Sequence, residues 1–114
     1  MIRFKAGDIV LVEFPFSHLR GQKRRPGPAL LSQDADVLLA RVTTQAPRSL
    51  SDIALTHWGA VGLPKASTVR LTKLVTIDRR LVQRRVGRLH PDDRRAVADG
   101  LKQLASDIAA DVLT

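Results

Sequence analysis

The strand-like runs of this chain lie too close together for crossover connections, and that spacing limits its fold more than any other feature. Ile9–Phe14 reads IVLVEF, a β-branched and aromatic run that follows Gly7 and Asp8 and stops at Pro15. Further runs occupy Ala29–Ser32, Asp36–Thr43, Asp52–Trp58, Ser67–Leu71 and Leu74–Ile77, and Leu81–Leu89 reads as a helical turn with a final strand. A parallel connection takes roughly a dozen residues or more, usually helical. The breaks at Gln33–Ala35 and Gly59–Pro64 suit antiparallel neighbours instead. A mainly β fold is therefore predicted, a small antiparallel barrel or strongly curled sheet.

The period changes at Pro91. Val97, Leu101, Leu104, Ile108 and Val112 form one stripe on a helix spanning Pro91–Leu113, with Pro91 at its first position and Asp92 and Asp93 beside its positive end. Gly100 costs about 1 kcal/mol of helix propensity relative to Ala without erasing that stripe. At 114 residues, the chain reads as a single domain, 1–114. It has no cysteine, which excludes disulfides, thiolate zinc sites and a Cys nucleophile, and suits a reducing cytoplasm. No run nears the roughly 20 apolar residues of a membrane span, so a cytoplasmic address and no membrane partner are expected.

A net charge of +8 points to a polyanionic partner. The excess sits at residues 3–25, which sum to +4, and 70–95, which sum to +6; residues 26–69 balance and 96–114 carry −2. A hairpin-rich fold can bring the two basic segments into one groove. Aromatics are only 4% of the chain, so stacking platforms for bases are few. Glycine-rich phosphate loops, HExxH and GxSxG are absent, and His18, His57 and His90 are scattered, so no metal and no cofactor are expected.

Ser17–Pro28, SHLRGQKRRPGP, reads as a long basic surface loop. Its arginines are either a solvated surface or ligands for phosphate, which the guanidinium fork matches. Thr43 and Thr44 end a strand beside Gln45; their hydroxyls either hold a phosphate or sugar hydroxyl or merely reflect strand preference. Arg70 alternates away from the face of Val69 and Leu71, as an ordinary solvent-facing charge or as a site residue on a rigid element.

Read together, GDIVLVEFPFS at residues 7–17, KRRPGPALLS at 23–32, VTTQ at 42–45 and STVRLTKLVTIDRRLVQRRVGRLHPDD at 67–93 resemble the MazF/PemK toxin family of type II toxin–antitoxin systems, in family order over nearly the whole chain. The resemblance implies an SH3-like small antiparallel barrel with a C-terminal helix, a homodimer that cleaves single-stranded RNA at short sequences and is inhibited by a cognate antitoxin. It implies catalytic roles for Arg25, Thr43 and Arg70, and RNA contacts from Phe16, Ser17, His18, Arg24, Thr44, Gln45 and Thr72. Phe16 equally suits core packing. Two places depart from the family pattern: RPGPALLS alters the spacing after Arg25 through Gly27 and Pro28, and Thr72 stands where some relatives carry an acid.

The expected chemistry is metal-independent attack of the RNA's own 2′-OH on the adjacent phosphate, leaving a 2′,3′-cyclic phosphate and a 5′-OH end. Arg25 would stabilise the developing charge, Thr43 would orient phosphate or 2′-OH, and Arg70 would position the backbone. The alternative is a noncatalytic nucleic-acid-binding regulator with the same barrel.

Overall fold

Ile9–Val12 is apolar at consecutive positions because the sheet it joins is covered on both faces. Ile9 packs with Ala40, Val42, Val69 and Leu71 in one cluster, while Val10 and Val12 pack with Ala29, Val37, Leu39 and Ile77 in another. Alternation along the strand sends neighbouring side chains to opposite faces, so two cores demand a continuous apolar run. Full burial of each such aliphatic side chain contributes roughly 1.5–3 kcal/mol.

The structure is a computed structural model and describes residues 2–13 and 24–114. Its elements are β1 (Asp8–Glu13), β2 (Arg24–Gln33), β3 (Asp36–Thr43), β4 (Asp52–Ala54), β5 (Thr68–Asp78), a 3-10 turn at Arg79–Leu81, β6 (Val82–Arg88) and helix α1 (Pro91–Leu113). The strands form one antiparallel six-stranded sheet in the order β4-β5-β3-β2-β1-β6. A mainly β fold with a C-terminal helix is thus what the chain forms. The expected contacts Phe16, Ser17 and His18, with most of the expected basic loop, lie outside the described residues.

Three element boundaries differ from the sequence expectation. The segment read as loop up to Pro28 is already strand from Arg24. Gly27 and Arg25 stand opposite Val10 and Val12, and Pro28 and Pro26 opposite Ile9 and Leu11. Proline donates no hydrogen bond, so the bonded pairs with β1 are those of Gly27 and Arg25, and the proline nitrogens face the other way, toward the β3 side. Pairing of β2 with β3 accordingly begins only at Ala29, opposite Leu39. Prolines that signal a loop in sequence here leave the first half of β2 paired on the β1 side only.

The second difference concerns Asp52–Trp58, of which only Asp52–Ala54 is strand. Beyond it the backbone N–H groups of Thr56 and His57 donate to the buried Asp93 carboxylate at 2.9 and 3.0 Å instead of to a neighbouring strand. Third, the two runs Ser67–Leu71 and Leu74–Ile77 form one strand carrying a bulge. Arg41 pairs with Arg70 and Ala40 with Leu74, which leaves residues 71–73 without partners in β3. An odd number of extra residues reverses the faces, so Val69 and Leu71 enter the first core while Val75 and Ile77 meet the second.

Helix α1 begins where predicted. His90 caps it, its Nδ1 accepting from the Asp92 backbone N–H at 3.1 Å, and Pro91 follows. Gly100 has a packing reason: a Cβ there would crowd the side chains of Leu71 and Ile53. The predicted stripe is buried at Val97 and half-buried at Leu101 and Leu104, but Ile108 and Val112 are 49% and 77% exposed, so only the first part of the helix packs on the sheet.

Candidate functional site

Register alone brings Asp52 and Arg70 face to face. Asp52 on β4 stands opposite Arg70 on β5, both 8% exposed, and the side chains close a two-point ion pair: Arg70 Nε donates to Asp52 Oδ1 at 3.2 Å and Nη2 donates to Oδ2 at 3.3 Å. Arg70 is therefore not the solvent-facing charge that strand alternation allowed. Burial opposes ionisation of Asp52, but the Arg48 backbone N–H at 2.9 Å, followed by the Arg70 guanidinium, holds its carboxyl below the usual carboxylate range. This pairing also relieves the juxtaposition of Arg70 with Arg41, its neighbour on β3.

The third guanidinium nitrogen, Nη1, lies 3.5 Å from Gln45 Oε1, a long contact, and the Gln45 backbone N–H donates to Thr43 Oγ1 at 3.2 Å. Thr43, Gln45 and Arg70 therefore converge where β3 ends against β5, with Thr43 half-buried and opposite Thr68. Thr44 and Thr72 are exposed.

Arg25 lies half-buried on β2, before the β2–β3 ladder begins, and Arg24 beside it is exposed. Counting the Ala29–Leu39 register onward by four residues brings Arg25 level with Thr43. Among the described residues no side-chain hydrogen bond or ion pair engages Arg25. Arg25 thus presents an unneutralised cation, whereas Arg70 presents a neutralised and oriented one. Sequence reasoning named both as candidates but did not name Asp52, because its partner is 18 positions away and an Asp opening a short apolar run is also an ordinary turn signal.

The basic excess of residues 70–95 is distributed differently from a single groove. Arg85 and Arg88 both engage the buried Asp8, at 3.0 and 3.1 Å, and with the Lys5 backbone N–H they hold its carboxyl low against the opposing effect of burial. Arg79 sits 4.3 Å over the Phe4 ring and donates to Ser32, and Arg80 pairs with Asp78. Lys73, Arg84 and Arg95 have no such partners among the described residues.

His57 and His90, far apart in sequence, meet in space. Their rings stack at 3.6 Å with planes 19° apart, and Asp92 Oδ2 lies 3.2 Å from His57 Nε2. With Asp92 they bring ligand-type atoms within 4.8 Å of one another, so the histidines are not all scattered as their sequence positions suggested. Near-parallel rings direct their in-plane lone pairs side by side rather than toward one point, and His90 Nδ1 is engaged in the helix cap. The cluster fastens α1 to the segment after β4, beside Asp93.

An antiparallel six-stranded sheet with one terminal helix, carrying the ion-paired Arg70 on β5 and, unpaired among the described residues, Arg25 on β2, defines a small mainly β domain. The family model described as PemK-like, MazF-like toxin of type II toxin-antitoxin system matches residues 5–105, and the chain belongs to that family. Among solved structures, an endoribonuclease in complex with its cognate antitoxin from a mycobacterial species is similar at TM-score 0.72 and 14% identity, covering 89% of this chain and 93% of that one. The Mycobacterium tuberculosis toxin MazF-mt6 gives 0.68 and 22%, covering 84% and 93%, and MazE-MazF from Deinococcus radiodurans gives 0.67 and 20%, covering 88% and 92%. No curated protein matches the sequence. Among the described residues no helix is long and apolar enough to cross a membrane.

Proposed function

We propose that the chain is a cytoplasmic toxin endoribonuclease that cleaves single-stranded RNA at a short sequence, acts as a homodimer and is inhibited by a cognate antitoxin. The observation that carries this reading is Arg70: an arginine fixed within a rigid sheet beside Gln45 and Thr43, in a chain of the PemK-like, MazF-like toxin family. The mycobacterial endoribonuclease with its antitoxin and the MazE-MazF assembly support both the activity and the partner.

RNA brings its own nucleophile. The 2′-oxygen forms a bond to the adjacent phosphorus, the bond to the 5′-oxygen breaks, the 2′-OH proton is released and the leaving oxygen is protonated. A 2′,3′-cyclic phosphate and a 5′-OH remain. The protein's part is electrostatic and geometric, and it needs no metal. Arg25 stabilises negative charge on the transferring phosphoryl group, Thr43 orients the phosphate or 2′-OH through its hydroxyl, and Arg70 holds the backbone. Arginine side chains keep their proton in proteins, so charge stabilisation suits them better than proton transfer. Arg24, Thr44, Gln45 and Thr72 supply RNA contacts around this centre, together with Phe16, Ser17 and His18.

Incubation of purified protein with single-stranded RNA and a chelator tests the reading, alongside Arg25→Ala and Thr43→Ala. Cleavage ending in cyclic phosphate, lost in both variants, is expected; full activity in both would remove these assignments. Salt-sensitive binding without cleavage would instead identify a noncatalytic binder. DNA of the same sequence lacks the 2′-OH and should remain intact.

A further inference from the structure

We propose that Asp52 is a positioning residue for RNA cleavage, acting solely through Arg70. The proposal rests on the reading of Arg70 as a residue that touches substrate. A guanidinium on a flexible stem can present several edges to a phosphate. Here the edge formed by Nε and Nη2 is occupied by the two oxygens of Asp52, which leaves the outer end, with Nη1, turned toward Gln45. Asp52 is itself held: its Oδ2 accepts from the Arg48 backbone N–H, and its own backbone N–H donates to Ser49 at 3.1 Å.

A chain of hydrogen bonds thus runs from the loop before β4 through the carboxylate to the guanidinium. Both paired side chains lie on hydrogen-bonded strands, Asp52 on β4 and Arg70 on β5, and both are buried. This makes the pair a fixed mount rather than a surface ion pair that side-chain motion would average away. Both Asp52 oxygens are taken up by Arg70 and the Arg48 N–H, and its side chain is 3% exposed against 10% for Arg70, so its contribution to turnover passes through the arginine it orients.

The test is a double-mutant cycle in the full chain on single-stranded RNA, with kcat and KM measured separately for Asp52→Asn, Arg70→Ala and the double variant. Asp52→Asn keeps the shape but weakens the mount; kcat is expected to fall about 100-fold, as for a misplaced catalytic group, with KM within about threefold. The double variant should be no worse than Arg70→Ala alone. A loss that multiplies in the double variant, or wild-type kcat in Asp52→Asn while Arg70→Ala is crippled, overturns the positioning role. Wild-type cleavage by Arg70→Ala overturns the reading of Arg70 instead, and the role of Asp52 with it.

Should Asp52→Asn fail to fold, the exchanged pair Asp52→Arg/Arg70→Asp keeps the buried ion pair but carries the cation to β4. A folded exchanged variant is expected to be no more active than Arg70→Ala, and one that cleaves at the wild-type rate overturns the proposal. Slow solvent exchange of the Arg70 Nε–H, visible by NMR in the wild type and accelerated in Asp52→Glu, reports the mount without any cleavage assay. Equal exchange in the two proteins would count against it.

Discussion

Asp93 accepts from both the backbone N–H and the hydroxyl of Thr56, at 2.9 and 2.8 Å on the same carboxylate oxygen, while its other oxygen takes the N–H of His57. One buried acid in the first turn of α1 therefore ends β4 and fastens the helix to the sheet. Asp93→Ala would leave these donors unsatisfied and is expected to lower the unfolding free energy by about 3 kcal/mol. Chemical denaturation checks this, with Asp92→Ala, at an exposed position, as the milder comparison.

Gly87 illustrates a tighter constraint. A Cβ at this position would fall inside contact distance of the Val61 carbonyl oxygen, a backbone atom that cannot turn aside. Gly87→Ala should cost about 1–3 kcal/mol through overpacking. Gly59 has no heavy atom within 4 Å of where its Cβ would fall, so Gly59→Ala should shift the thermal midpoint far less.

Three buried carboxylates, Asp8, Asp52 and Asp93, all have their pKa lowered from 3.8 in the folded chain. In each, burial works against ionisation and the surrounding donors overcome it. A folded pKa below the unfolded one means that the unfolded chain binds more protons in between, so the stabilisation is full above about pH 5 and disappears as pH falls through the folded values. Denaturation midpoints should be flat with respect to these groups from neutral pH down to about 5 and should drop below about pH 4. Asp93→Asn should flatten that acid limb.

The helix stripe makes a graded prediction. Val97 is buried against Leu71 and Leu89, whereas Val112 is 77% exposed. Val97→Ala is expected to destabilise by about 1–3 kcal/mol, through lost burial and the cavity left behind. Val112→Ala should remain within about 0.5 kcal/mol of the wild type.

Much of this was legible in the residues. The run Ile9–Val12, the hairpin at Gln33–Ala35 and the stripe from Val97 are local patterns, and local patterns survive folding. The strand content of Arg24–Pro28 was not legible, because Pro26, Gly27 and Pro28 carry the same signal in a loop as in a strand that bonds on one side only. The pair of Asp52 with Arg70 and the stack of His57 on His90 were hidden for a different reason: each depends on a register or approach that only the assembled sheet and helix create. Thr43, Gln45 and Arg70 could be named from the family resemblance, while the groups that hold Arg70 could not. Long-range polar partners leave little periodicity to read.

The prolines of β2 also bear on the work required to reach the site. Along Pro26–Pro28 no ladder to β3 exists, and two of the nitrogens that would have built one carry no hydrogen. A ligand group that met Arg25 and Thr43, as proposed, would break no β2–β3 ladder hydrogen bonds of that stretch. The absence of that ladder is written into covalent structure, because no change of conditions gives Pro26 or Pro28 an N–H to donate.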